Sequence, residues 1–172
     1  MTASHISRDL AYGPDPLHRL DLYRPHGAVR AAIVDIHGGG WWTGDKAHEV
    51  GLASALVRAG YLVAVPNYRL ADGAARLNLY PTQVDDISSV LAWLYASDID
   101  FDRAHVATVG SSSGGNLAAE VAIRHGLPAV AWSGLFDLDG FVTDHPDTVP
   151  RRLDVDPQAG PTEIDQTGAN DQ

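Results

Sequence analysis

The stretch AHVATVGSSSGGNLAAEVAIRHG, Ala104 to Gly126, decides how the whole chain is read. Its first half is a short apolar run of small and β-branched residues. Its second half carries Leu117, Ala118, Val121 and Ala122 at helical spacing, so a strand runs straight into a helix. At the join lies Gly110-Ser111-Ser112-Ser113-Gly114, a Gly-x-Ser-x-Gly with Ser112 at its centre. A serine at so sharp a turn takes a strained backbone conformation, and the glycines two positions to either side let strand and helix pass closely without Cβ clashes. The strain pushes the Ser112 hydroxyl out above the sheet edge. A helix beginning near Ser113 offers unpaired N–H groups and a positive dipole end, which suits an oxyanion forming beside Ser112.

Two other readings fit the same residues locally. One is an ordinary Gly/Ser turn. The other is a phosphate-cradling loop, which GSSSGGN supports less well because it lacks the Gly-Lys-Ser/Thr ending that brings a lysine to the phosphates. The choice among them rests on the rest of the chain. At 172 residues it has the size of one ordinary domain, and its 45% hydrophobic content suffices for a real core. A net charge of −10 argues against binding nucleic acid or an anionic membrane, since either needs a basic patch. Without cysteine there is no disulfide framework and no thiolate zinc site, and the redox compartment stays open. The polar start MTASHISRDL has no apolar signal region and no run reaches membrane-spanning length, so a soluble, cytoplasmic protein is expected.

Taken in order, LHRLDLYRP alternates apolar and polar residues before Pro25 and predicts an early antiparallel edge strand. AAIVDIH, Ala31 to His37, is nearly continuous in apolar residues, as in a strand buried on both faces of a parallel sheet. A glycine loop follows, then a helix expected from about Lys46 to Ala59, ended by Gly60. YLVAVPNYRL is a third strand. PTQVDDISSVLAWLYASD is a helix with Val84, Ile87, Val90, Leu91 and Leu94 on one face and Pro81 at its start. After the central strand and helix, PAVAWSGLFDL predicts one more strand, about Ala129 to Leu135. Strands alternating with amphipathic helices imply an α/β fold with a mainly parallel sheet, whose ligands bind at the carboxyl ends of the strands. Residues 1–138 are read as this domain, and residues 139–172, rich in Pro, Gly and Asp, as an irregular acidic tail or unfinished segment.

His37-Gly38-Gly39-Gly40-Trp41 ends one buried strand and Gly-x-Ser-x-Gly ends another; the pair resembles the α/β-hydrolase fold. Within it, the chain is similar to esterases of the hormone-sensitive-lipase and feruloyl/acetyl-esterase kind. HGG-x-W followed by NYRL also resembles bacterial arylformamidases. The resemblance covers about residues 9–138 and implies helices on both faces of the sheet. It implies that Ser112 is the acyl-accepting nucleophile and that the N–H groups of Gly39, Gly40 and Ser113 form the oxyanion hole. It implies hydrolysis of small carboxylic esters without cofactor, with an arylformamidase-like amidase as the near alternative. By the chain order of this fold, His37 anchors the oxyanion loop instead of acting as a base.

Other residues carry two readings each. Trp41 is expected to wall a substrate pocket and Trp42 to pack. Arg69 and Asp85 are expected to form a buried ion pair between strand and helix, in preference to a catalytic role. His48, His105 and the amino-terminal histidines read as surface or loop residues, and no spacing among them suggests a metal site.

A serine hydroxyl needs a base, and the base an orienting acid. In this fold both come from loops after two further strands, for which the chain has no candidates. His125 ends the helix that starts at the elbow, roughly 18 Å along its axis from Ser112, and reads as a C-cap. His145, with Asp137 near it, follows the last strand, so Ser112, Asp137 and His145 repeat the family's order at abnormal spacing. The chain is therefore expected to be the amino-terminal part of a hydrolase, ending after about the sixth strand. Its last strand would form an apolar edge, open to a second chain or another copy. A non-catalytic hydrolase fragment is the reading from a different class.

Overall fold

Strand β3 (Ala32–Ile36) forms the axis of the sheet, with β4 (Leu62–Pro66) parallel on one side and β5 (Val106–Ser111) parallel on the other. The structure is a computed structural model that describes residues 5–144. Six strands run in the order β1-β2-β4-β3-β5-β6, with β1 (His5–Ala11) and β2 (Arg19–Arg24) antiparallel and β6 (Ala129–Trp132) parallel to β5. The result is a mainly parallel mixed sheet.

Helices cover both faces. A 3₁₀ turn (Lys46–Glu49) leads into α1 (Val50–Arg58), whose Ala53 and Val57 pack on Tyr23, Val63 and Val65. On the opposite face α2 (Thr82–Ala96) and α3 (Ser113–His125) bury Val84, Ile87, Leu91, Leu94, Leu117 and Val121 against Val34, Ile36 and Val106. The stripe expected on α2 is the buried one, because apolar residues three and four apart share one face of a helix.

Chain order and spatial order diverge at β3: the chain leaves it for β4 on one side and returns through α2 to β5 on the other. Such a divergence opens a crevice at the carboxyl ends of the two central strands. The loops after β3 and β5 therefore face each other there. They are HGGGW and the serine elbow.

Several expectations are corrected. The segment Arg19–Arg24 is internal to the sheet, because His5–Ala11 pairs outside it, with an irregularity between Ser7 and Leu10 where Asp9 takes φ 56°. The strand after α3 ends at Trp132 and does not continue to Leu135. Residues from 139 on are not wholly irregular, since Leu138–Asp144 forms a short helix, α4. His125 is the last residue of α3, but the C-cap is Gly126 at φ 68°, a conformation a side chain disfavours. His18 is a loop residue, as expected, but it is buried.

Candidate active site

Ser112 sits between the last residue of β5 and the first of α3, at φ 54° and ψ −125°. This is a positive-φ conformation that a serine tolerates only when its surroundings fix it. They do so from two sides. The Ser112 N–H donates to Trp132 O of β6 at 2.9 Å, and Ser112 O accepts from the Asn116 N–H at 3.1 Å. The first turn of α3 then presses against the end of β3: a Cβ on Gly114 would collide with the Ile36 carbonyl and lie 2.6 Å from His37 O. Glycine at 114 is a requirement of that approach.

The loop after β3 comes to the same place. A Cβ on Gly38 would lie 3.3 Å from Ser112 Cβ, which puts the loop backbone at van der Waals range of the serine. Gly39 (φ 126°) and Gly40 (φ 62°) then turn the chain, closed by a hydrogen bond from the Thr43 N–H to Gly39 O at 3.1 Å. Among the described residues, no backbone hydrogen bond takes up the N–H of Gly39 or Gly40. Ser113, first in its helix, has no intrahelical acceptor for its own.

His37 is 1% exposed and stacks on Tyr68, ring centroids 4.2 Å apart and 11° from parallel. Its Nδ1 lies 2.8 Å from Gly38 O; since a carbonyl only accepts, Nδ1 carries the proton. Burial pushes its pKa below the usual histidine value, so the ring is neutral near pH 7. Tyr68, also buried, donates its hydroxyl to His37 O at 3.0 Å. Trp41 (φ 69°) is partly buried against the main core, whereas the more exposed Trp42 lies over Gly40. The indole nearer the oxyanion-type loop is thus the one expected to pack.

Arg69 does not pair with Asp85. Its guanidinium meets Asp86 of α2, with Nε 3.0 and 3.1 Å from the carboxylate oxygens and Nη2 at 2.5 Å, and its backbone N–H adds a bond of 2.9 Å. His18 Nε2 approaches the same carboxylate at 3.1 Å. Asp85 instead binds Arg124 of α3 at the surface, 2.6 Å away. The reason is helical phase: the buried positions of α2 include 83, 87, 90 and 94, which turn 86 inward and 85 outward. That phase was legible in the apolar stripe.

Asp35, one residue before the end of β3, had drawn no attention in the sequence. It is fully buried, neither carboxylate oxygen has a hydrogen-bond partner, and burial, with Glu49 adding repulsion, lifts its pKa to about 8.

Among the described residues, the histidines weighed as bases are engaged by other groups. His37 is committed to the loop. His125, at the far end of α3, hydrogen-bonds Ser88 Oγ at 3.0 Å. Asp137 is exposed and accepts the Gly140 N–H at 2.9 Å at the start of α4, and His145 lies outside the described residues. Among the described residues, no group of three or more metal-ligating side chains could hold an ion, and no helix is long and apolar enough to cross a membrane.

The chain resembles known proteins over most of this region. It is 34% identical to arylacetamide deacetylase from Oryctolagus cuniculus over 101 residues, which is 55% of this chain and 24% of that protein. It is 33% identical to carboxylesterase NlhH from Mycobacterium tuberculosis over 93 residues, 52% of this chain and 28% of the relative. Among solved structures, a putative thioesterase from Silicibacter sp. TM1040 superposes with a TM-score of 0.64 at 28% identity, covering 80% of this chain and 53% of the other. Esterase B from Lactobacillus rhamnosis gives 0.56 at 29% identity, covering 76% and 45%. The chain thus spans about a quarter of the length of these curated relatives and about half that of the solved structures. The BD-FAE family model matches residues 20–147, from the second strand through the elbow and past β6. With its mixed sheet, its glycine loop after β3 and its serine elbow after β5, the chain belongs to the BD-FAE family and has the α/β-hydrolase fold of these esterase relatives.

Proposed function

We propose that this chain carries the nucleophile and the oxyanion hole of a serine hydrolase acting on small carboxylic esters. The observation that carries the reading is the meeting of Ser112, held at φ 54°, with the Gly38–Gly40 loop at van der Waals range. Ser112 Oγ attacks the ester carbonyl carbon as its proton passes to a base. The tetrahedral oxyanion is held by the N–H groups of Gly39, Gly40 and Ser113. The bond to the alkoxy oxygen then breaks, the alcohol leaves with a proton, and water hydrolyses the acyl-Ser112 ester to the acid. Trp41 contributes to the pocket wall. His37 holds the loop: its Nδ1–H donates to Gly38 O and its buried ring stacks on Tyr68.

The base of this reaction comes from His145, oriented by Asp137, or from a second chain that docks along β6, whose Val130 and Trp132 are 60% and 73% exposed. Without either, the chain is a hydrolase fragment that does not turn over. An amidase is the second reading, favoured by the similarity to a relative named arylacetamide deacetylase. A cytoplasmic location belongs to the same proposal.

Hydrolysis of p-nitrophenyl acetate and butyrate, beside a formyl anilide, tests the reading with Ser112→Ala as control. Ester turnover that vanishes in the variant is the expected result, and faster cleavage of the anilide selects the amidase. Turnover equal in both proteins overturns the role of Ser112. No turnover in either selects the non-catalytic fragment.

A further inference from the structure

The glycine loop that carries the Gly39 and Gly40 N–H groups leaves β3 at His37 and reaches the 3₁₀ turn at Lys46. Residues 67–71, directly after β4, hold it at its root, its crest and its exit. At the root, Tyr68 donates its hydroxyl to His37 O at 3.0 Å. At the crest, the Ala71 N–H donates to Trp41 O at 2.9 Å. At the exit, the Asn67 side chain takes the Lys46 N–H on Oδ1 at 2.6 Å and gives an Nδ2–H to Asp45 Oδ2 at 2.9 Å. The holding segment is itself gripped from behind: the Asn67 N–H donates to Arg19 O at 2.8 Å, and the Arg69 guanidinium is bound by Asp86 of α2.

The exit bears directly on the oxyanion donors. A Cβ on Gly44 would collide with Gly38 O, so the chain entering the 3₁₀ turn lies against the loop's own beginning, and the Thr43 N–H closes the turn on Gly39 O at 3.1 Å. A shift of residues 44–46 therefore carries residues 38–40 with it. The Lys46 N–H can only donate, and the Asp45 carboxylate, whose other oxygen caps the Ala47 N–H at 2.8 Å, only accepts. A side-chain amide answers both, which neither a carboxylate nor an apolar group can do. We infer that Asn67 is a positioning residue that fixes the exit of the glycine loop and, through the loop backbone, the direction of the Gly39 and Gly40 N–H groups. The functional part of this inference rests on the oxyanion-hole reading proposed above; the anchoring of the loop does not.

Asn67→Asp keeps the acceptor for Lys46 and turns the donor into a carboxylate oxygen facing Asp45. Amide hydrogen exchange on the full chain is expected to rise about tenfold at residues 39–47 in this variant, the loss of one hydrogen bond to a charged group, while β5 and the middle of α2 stay unchanged. Adding Asp45→Asn restores the pair with donor and acceptor exchanged and keeps an oxygen on the Ala47 N–H, so exchange is expected to return to within about threefold of the parent. Exchange that does not change in Asn67→Asp, that rises across the whole sheet, or that stays high in the double variant overturns the anchoring. Where Ser112-dependent ester hydrolysis is present, Asn67→Asp lowers kcat about tenfold and leaves KM within about twofold, because the oxyanion exists only beyond the ground state, and the double variant recovers it. A kcat that stays at the parent value while loop exchange rises overturns the positioning role. A protein without turnover would defeat the serine-hydrolase reading, and the exchange result would still decide the anchoring.

Discussion

The centre of the sheet and its β6 margin are written in similar residues and end in opposite states. Val34, Ile36 and Val106 are sealed between the sheet and the helices α2 and α3, whereas Val130 and Trp132, one strand further out, are largely exposed together with Phe136. At the centre the packing leaves no room for one added methyl at Gly114. At the margin, side chains of the same type stay largely exposed. A strand's apolar letters thus set its tendency to be a strand, and its burial depends on what flanks it. The other margin makes the same point in polar terms: β1 is mostly exposed, and at its bulge Asp21 of β2 gathers Arg8, the Asp9 N–H and Lys46.

Gly114→Val should break the centre most severely. Its side chain would meet two backbone carbonyls that cannot swing away, and a loss of about 5 kcal/mol is expected, enough to remove the folded population in urea titrations of a marginal domain. Next in size is Asp86→Ala, which strands the Arg69 guanidinium, the Arg69 N–H and His18 at once. About 3 kcal/mol should be lost by the same measurement. Asp85→Ala, at the exposed pair with Arg124, should cost under about 1 kcal/mol, which separates the two neighbouring carboxylates.

Asp35 offers a comparison that pH can sharpen. Its folded-state pKa, about 8, stands above the value near 4 of an unfolded chain, so the folded state holds a proton that the unfolded state releases between those two values. Its contribution to stability is complete below about pH 4 and is lost as pH rises through 8, with a slope of up to about 1.4 kcal/mol per unit. Asp35→Asn should flatten that slope in denaturation curves taken from pH 5 to 9; an unchanged slope would place the titrating group elsewhere. The smallest effect is expected at the margin. Trp132→Ser should alter stability by no more than about 0.5 kcal/mol yet reduce self-association in sedimentation velocity, because it removes exposed apolar surface and not core. A large stability loss there would mean that β6 is already covered.

Much of this was legible in the residues. The apolar runs of β3 and β4, the stripe of α2 and the serine elbow all followed from local periodicity, which a helix or a parallel strand imposes wherever it is buried. What escaped was pairing. HISRDLA shows no apolar alternation, and it is a strand because Ile6 and Ser7 find Tyr23 and Leu22 across the sheet. Arg69 was matched to the wrong aspartate by one position, an error the phase of its own helix could have caught. Asp35 lies within a nearly continuous apolar run, and only the covering of both faces makes it a buried acid.

By itself, then, the sequence determined the alternation of strands and helices, the two glycine-bearing turns and the identity of Ser112 as the residue at the elbow, because these depend on local backbone sterics and hydrophobic period. The tertiary structure alone decided that the turns after β3 and β5 meet, that the Tyr68 hydroxyl reaches the carbonyl at the root of the first, and that Val130 and Trp132 of β6 are largely exposed. Those outcomes depend on strand order, which brings together residues far apart in the chain and which no local pattern encodes.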